Sequence, residues 1–243
     1  MESDRAPEGV VRVRAANPSP LTLDGTNTYV VGGWVVDPGP DDPEHLSAVL
    51  AAVGDRGCEG VVLTHGHPDH DAGVGTLVEL AGGEVPVVRP GDGDAVGPFA
   101  VVATPGHSED HVCLMFGRVC FTGDLILGVG SAFVGSDGAS LGAYMRSLER
   151  VRAIDPEVLC PGHGPFVWEA RAKIEEYVAH RLDRERRVVE ALDSGARDRD
   201  ELLERAWSEV DLDAPMIRFA AGATLDAHLG KLRDEGRLPA DMA

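Results

Sequence analysis

Short apolar, β-branched runs recur along the first two thirds of the chain. They begin with "VVRVRA" at Val10, "NTYVVGG" at Asn27, "WVVDPG" at Trp34 and "GVVLTH" at Gly60. They continue with "VPVVRP" at Val85, "FAVVATPGH" at Phe99, "HVCLMFG" at His111, "RVCFTGD" at Arg118 and "EVLCPGHG" at Glu157. Runs of this length bounded by Gly, Pro and Asp predict strands. Between them, "PEHLSAVLAAV" from Pro43, "DAGVGTLVELAG" from Asp71 and "SLGAYMRSLERVRAI" from Ser140 carry apolar residues at helical spacing. A hairpin is expected from Val112 to Phe121, with Gly117 and Arg118 at its turn. Hairpin neighbours mixed with strand–helix–strand units predict an α/β fold of mixed sheets covered by helices.

After Pro165 the strand pattern stops. Charged helical sequence follows in "ARAKIEEYVAHRLDRERRVVEAL", "DRDELLERAW" and "DAHLGKLRDEGRLP". A boundary near residues 168 to 175 divides the chain into 1–170 and 171–243, with the long first helix able to bridge the two. Leu202, Leu203, Ala206, Leu225, Leu229 and Leu232 form apolar stripes that need a partner surface, through packing on the first domain or homodimerisation. No repeat of fixed period is visible.

With 243 residues and 43% apolar composition the chain can bury a substantial core. No basic segment followed by an apolar run opens it, and nowhere do eighteen or so apolar residues follow one another, so a cytoplasmic protein without a membrane span is expected. Cys58, Cys113, Cys120 and Cys160 lie singly in apolar surroundings, which reads as reduced thiols. The net charge of −19 is uneven: residues 1–170 carry nine Arg, no Lys and 24 acidic side chains. That balance weighs against nucleic acid as a partner, since polyanion binding rests on Lys and Arg neutralising phosphates.

The candidate chemistry lies where strands end. "VVLTHGHPDHDAG" delivers His65, His67, Asp69 and His70 to a loop at the carboxyl end of a strand, where functional groups gather in open α/β sheets. Buried together without a partner these groups would be costly to desolvate, and one or two divalent cations would satisfy them. "ATPGHSEDH" adds His107, "CFTGD" adds Asp124 and "LCPGHG" adds His163, each beside a glycine at a strand end.

The order HxHxDH, His, Asp, His resembles the metallo-β-lactamase superfamily, over about residues 10 to 165. The resemblance implies an αββα sandwich with a binuclear centre. His65, His67 and His107 would hold one metal, Asp69, His70 and His163 the other, and Asp124 would bridge them. Two Zn2+ per chain are the leading expectation, with iron or manganese accepting similar ligands. A water between two dications loses a proton near neutral pH and becomes the nucleophile; the resemblance implies that Asp69 lies close to it, with Asp69 and Asp124 as the catalytic carboxylates. Asp37 in "VVDPG" resembles an aspartate that fixes the metal-binding loop, or else starts the turn before Pro-Gly.

His70 separates the chain from the common lactam-hydrolysing members. "NPSPLTLDGTNTYVVG", "FTGDLILGVGS" and "CPGHGPFVWEARAKIEEYVAHRLDRERRV" are similar to the β-lactamase-like protein 2 branch and its microbial relatives, which include an RNA endonuclease and acyl-carrier thioesterases. By that resemblance Asn27 and Thr28 lie near the metals and contact substrate, or else belong to a strand-opening turn. His111 is a proton donor, a group supporting the ligands, or an ordinary histidine at a strand start. The stretch "AFVGSDGASLGAYM" departs from the branch's pattern beside the expected cleft. The tail is similar to the branch's winged-helix-like appendage, but it is acidic and shows no basic recognition helix. The leading function is thus a zinc-dependent hydrolase of an ester or thioester, acting on a small-molecule or acyl-carrier substrate. A zinc-dependent endoribonuclease is the second reading and an iron redox enzyme the third. A winged-helix nucleic-acid-binding module with a vestigial hydrolase domain is an alternative of another class, opposed by seven intact ligand positions.

Overall fold

The computed structural model describes residues 5–134, 140–239 and 242, so the glycine-rich stretch singled out above lies partly outside the described residues. Strands β1 (Val10–Arg14), β2 (Asn27–Val31) and β3 (Trp34–Val36) form an antiparallel meander. Helix α1 (Pro43–Val53) then carries the chain over to β4 (Gly60–Val62), which pairs in parallel with β3. Asp42 starts α1 by accepting from the Glu44 amide, with Pro43 at the first helical position. Helices α2 (Pro68–Asp71) and α3 (Val74–Leu80) lead to β5 (Val87–Val88), which completes a five-stranded sheet in sequence order.

A second five-stranded sheet comprises β6 (Ala95–Val96), β7 (Phe99–Ala103), β8 (Val112–Phe116), β9 (Val119–Gly123) and β10 (Val158–Pro161). All its pairings are antiparallel except β9 with β10, which are joined through helix α4 (Leu141–Ile154). Alternate strand residues divide between two environments, as the two-residue period of a strand requires. Tyr29, Val31, Val36, Val62, Leu114, Phe121 and Cys160 meet in a core between the sheets. Val30, Val35, Val61 and Leu63 face outward onto Leu46, Val49 and Leu77 of α1 and α3. Cys113, Cys120 and Leu159 face outward onto Tyr144, Leu148 and Val151 of α4. With both faces of each sheet covered, the strands read as unbroken apolar runs. The result is an αββα sandwich, with each such buried side chain contributing about 1.5–3 kcal/mol. All four cysteines are free.

Helix α5 (Ala170–Asp193) serves both parts of the chain. Ala170, Ile174 and Tyr177 join the core outside the second sheet, and the Leu127 amide donates to the Tyr177 hydroxyl at 2.9 Å. Val188, Ala191 and Leu192 belong instead to a separate cluster with α6 (Arg199–Ala206) and α7 (Pro215–Asp234). There Leu202, Leu203, Ala206, Leu225 and Leu232 are buried against one another and Trp207, so the stripes find their partner surface within the chain. No strand that would form a wing is present among the described residues after Pro161; the elements there are helices α5, α6 and α7.

Several boundaries differ from the sequence reading. The helix expected over residues 71–82 is two helices, α2 starting earlier at Pro68 and α3 following after Gly73. The last helix starts at Pro215 and ends at Asp234, not 226–239, and the two-residue strand β6 was not anticipated. No helix among the described residues is long and apolar enough to cross a membrane.

Candidate metal centre

The seven predicted ligands come together along one edge of the sandwich, each delivered by a strand end. His65, His67, Asp69 and His70 follow β4, His107 lies between β7 and β8, Asp124 follows β9, and His163 follows β10. His65 Nε2 and His107 Nε2 each lie 3.0 Å from His67 Nδ1. His163 Nε2 lies 3.2 Å from Asp69 Oδ2 and 3.4 Å from Asp124 Oδ1. His70 Nε2 is 3.5 Å from Asp124 Oδ1 and 3.7 Å from Asp69 Oδ2. Asp124 spans the two groups, its other oxygen lying 3.7 Å from His107 Nε2.

Hydrogen bonds on the far side of four of the rings fix which nitrogen faces the centre. Thr64 Oγ1 donates to Asp37 Oδ2 at 2.6 Å, so it can only accept from His65 Nδ1–H at 2.9 Å. His70 Nδ1–H donates to Asp37 Oδ2 at 2.9 Å, and His107 Nδ1–H to the Phe133 carbonyl at 2.8 Å. His163 Nδ1–H points at the Gly25 carbonyl, 3.3 Å away. Four imidazoles therefore turn Nε2 to the centre, and His67 turns Nδ1. A ring nitrogen held by a carboxylate or carbonyl leaves the opposite lone pair free for a cation.

These residues fit divalent metal. His65, His67 and His107 form one cluster able to share an ion and Asp69, His70 and His163 another. Nitrogens bound tetrahedrally at about 2.0–2.1 Å lie roughly 3.3 Å apart, close to the separations here. His70 Nε2 and Asp124 Oδ1 are buried without any hydrogen-bond partner, which is costly unless a cation completes them. Among the described residues no Lys or Arg pairs with Asp37, Asp69 or Asp124, so three carboxylates lack a permanent counter-charge.

The electrostatics of the protein alone show the same deficit. Burial opposes a charge on His163, yet Asp124 and Asp69 push its pKa up to about 9. Burial likewise opposes charge on His70, and Asp124 and Asp37 hold it well above the usual histidine range. Asp124, which burial would raise, is held well below the carboxylate range by His70 and His163. The site thus keeps its carboxylates ionised and calls for positive charge.

Supporting residues clamp the ligand loops. Asp37 is buried with a φ of 49° and also accepts from the Thr64 amide at 2.7 Å, tying the end of β3 to the end of β4. Thr28 and Asn27 are buried rather than presented to solvent. The Thr28 hydroxyl donates to the Asp37 carbonyl at 2.7 Å, while Asn27 Nδ2 donates to the Pro161 and Gly164 carbonyls that flank His163. Both hydrogen-bond the loops that carry the ligands. His111 is buried behind Asp124, whose amide donates to His111 Nε2 at 3.2 Å. Its Nδ1–H then faces Thr104 Oγ1 at 2.8 Å, leaving no free ring position for proton transfer. Burial, with His107 adding to it, lowers its pKa to about 3, so the ring is neutral.

Two glycines are required by close approach. Gly123 has a φ of +45°, and a Cβ there would meet Thr64 Oγ1 at 2.6 Å and His111 Nε2 at 2.8 Å. A Cβ on Gly162 would lie 2.6 Å from both Asp124 Oδ1 and His70 Cε1. The sequence reading missed Thr64, Thr104 and His45, whose ring lies 2.9 Å from the Thr28 hydroxyl. Only the TH of "VVLTHGH" carried a local signal for one of them.

Fold and site together define a metal-dependent hydrolase architecture, and the comparisons place it. The chain matches the metallo-beta-lactamase superfamily over residues 21–92 and 81–163. It is 32% identical to the beta-lactamase-like protein 2 homolog of Drosophila melanogaster, covering 96% of this chain and 91% of the relative. It is also 32% identical to an atrochrysone carboxyl ACP thioesterase of Aspergillus fumigatus, over 96% of this chain and 76% of that protein. The solved structure of TTHA1623 in a di-iron-bound form is 30% identical, with a TM-score of 0.56, covering 66% of this chain and 96% of that one. The chain belongs to the metallo-β-lactamase superfamily and is a hydrolase of it.

Proposed function

We propose that this chain hydrolyses an ester or thioester with two Zn2+ bound at the centre. The observation that carries the reading is the set of imidazole nitrogens turned toward Asp124 and Asp69, with His70 Nε2 and Asp124 Oδ1 buried and without a hydrogen-bond partner. Cations bound there supply Lewis acidity and lower the pKa of water near neutrality. His65, His67 and His107 would hold one ion, Asp69, His70 and His163 the second, and Asp124 both. Asp124 is the carboxylate gripped from behind, through its own amide on His111. Asp69 is the most open of the three carboxylates, its side chain 29% exposed against 13% for Asp124 and 3% for Asp37. In this reading it would orient the attacking water and take up its proton. The overall reaction adds water across the acyl bond and releases an acid and a thiol or alcohol.

The carbonyl substrate is supported by similarity to the acyl-carrier thioesterase and by charge, since nine Arg and no Lys in residues 1–170 give no track for flanking phosphates. Similarity to a di-iron-bound protein makes iron the competing metal. A cytoplasmic setting, 1–170 as the catalytic domain and 171–243 as an appendage belong to the same reading. The test compares kcat/KM for acyl-coenzyme A or carrier-protein thioesters with that for single-stranded RNA, at near-physiological salt. Faster thioester hydrolysis, lost in Asp124→Ala, is expected. Asp124-dependent RNA cleavage with thioesters untouched would move the chain to the nuclease reading.

A further inference from the structure

A 410 Å³ pocket opens between the C-terminal helices and two loops of the sandwich, within the range of about 300–1,000 Å³ typical of ligand sites. Its walls are apolar: Leu21 and Phe133 on one side, Trp207, Met216, Ile217 and Ala220 on the other. Leu21, Met216, Ile217 and nearby Phe219 are among the large apolar side chains most open to solvent, and Phe219 stacks on Phe133 at 6.2 Å. An exposed apolar surface gathered around one mouth is the usual mark of a binding site.

The polar content of the pocket is specific. Arg181 lines it while only 2% exposed, and its Nε has no hydrogen-bond partner. Its guanidinium donates to the Ala132 carbonyl and lies 5.2 Å from the Tyr144 ring centroid, but it has no ion pair with a carboxylate among the described residues. The adjacent Arg184 differs, being paired with Glu209 at 2.8 Å. A buried cation without a counter-charge is costly, and a ligand anion would offset that cost.

Both loops of the mouth also hold metal ligands. Phe133 gives its carbonyl to His107, and Gly25, four residues beyond Leu21, gives its carbonyl to His163. The pocket is therefore tied to the centre by hydrogen bonds from two segments, one of which, at Phe133, also lines it.

We propose that this pocket binds the apolar acyl body of the substrate, with an anionic oxygen carried on that body paired to Arg181. The proposal rests on the ester and thioester reading above. The experiment measures calorimetric binding of decanoate and of decanol to the metal-loaded protein, and to its Ile217→Asp and Ala220→Trp variants. Neither variant touches a metal ligand, and both positions are partly open to solvent, so folding is expected to persist.

The expected result is one decanoate per chain, bound at least about tenfold tighter than decanol, with about tenfold or greater loss in both variants. Arg181→Gln should remove the preference for decanoate. Equal affinity for acid and alcohol would overturn the role of Arg181, and decanoate binding unchanged in both wall variants would overturn the pocket. Turnover separates this inference from the reading beneath it. If decanoyl and acetyl thioesters are hydrolysed alike, and alike in Ile217→Asp, the hydrolase reading stands and the acyl pocket falls. If no thioester is hydrolysed while decanoate binding is still lost in the wall variants, the ester and thioester reading falls and the pocket remains an anionic-lipid site.

Discussion

Replacing Asp37 by Asn tests the hydrogen-bond logic of the centre without touching a metal ligand. Asn tolerates the left-handed backbone at this position, where φ is 49°, so the turn should survive. The carboxylate accepts three hydrogen bonds, from the Thr64 amide at 2.7 Å, the Thr64 hydroxyl at 2.6 Å and His70 Nδ1 at 2.9 Å. An amide oxygen can keep the first, but its NH2 then faces the Thr64 hydroxyl and the His70 ring. His70 can relieve that conflict by accepting at Nδ1, which moves its proton to Nε2 and removes the lone pair offered to the metal. Loss of such a supporting partner lowers metal affinity or activity by about 10- to 100-fold, equivalent to about 1.4–2.7 kcal/mol. Competition with a zinc chelator of known affinity reads this directly, with circular dichroism confirming the fold. The Asp37→Asn protein should release the more weakly held metal first. Unchanged affinity for both metals would refute the argument that Asp37 sets the His70 tautomer.

Asp124→Ala should abolish turnover with little change in the far-ultraviolet spectrum, because the three apolar clusters of the sandwich do not include this carboxylate; near-normal hydrolysis would contradict a shared ligand. His111→Ala should lose about 2–4 kcal/mol in urea unfolding, from a buried amide without an acceptor plus a cavity, and retain more activity than Asp124→Ala. If it proves equally inactive with its metal intact, His111 is a catalytic group. Burial, then Arg181 and Lys231, lowers the pKa of His228 to about 3 from an ordinary 6.5. Since that shift is downward, its stability contribution is complete above pH 6.5 and is lost as pH falls toward 3, at up to about 1.4 kcal/mol per unit. His228→Leu should flatten the acid limb of a stability–pH curve, and an unaltered limb would show that His228 does not cause it. A chain ending at residue 168 loses Ala170, Ile174 and Tyr177 from the core and should be insoluble; a soluble, active fragment would contradict the packing of α5.

The sandwich was legible because its strands are covered on both faces, so each appears as an apolar run such as "VVLT" or "VCLMF" that local pattern can find. The ligand set was legible because His65, His67, Asp69 and His70 are adjacent in sequence, and His107, Asp124 and His163 each follow a strand beside a glycine. What escaped depends on contacts between distant segments. The use of Nδ1 by His67 and the grip of His111 on the Asp124 amide have no trace in spacing. The start of α7 at Pro215 was hidden because Met216, Ile217 and Phe219 face solvent and the pocket rather than the buried stripe of Leu225 and Leu232. The buried, unpaired state of Arg181 was hidden for a related reason. In sequence it sits in a run of alternating charges, and only the fold shows that Arg184 and Arg187 share Glu209 while Arg181 has no acid.

Elemental analysis of the protein purified under metal-replete conditions tests the central claim most directly. The arrangement of five imidazoles around Asp69 and Asp124 predicts about two transition-metal ions per chain, zinc foremost, falling below two in Asp124→Ala. A wild-type protein that is folded and metal-free under those conditions would contradict the account.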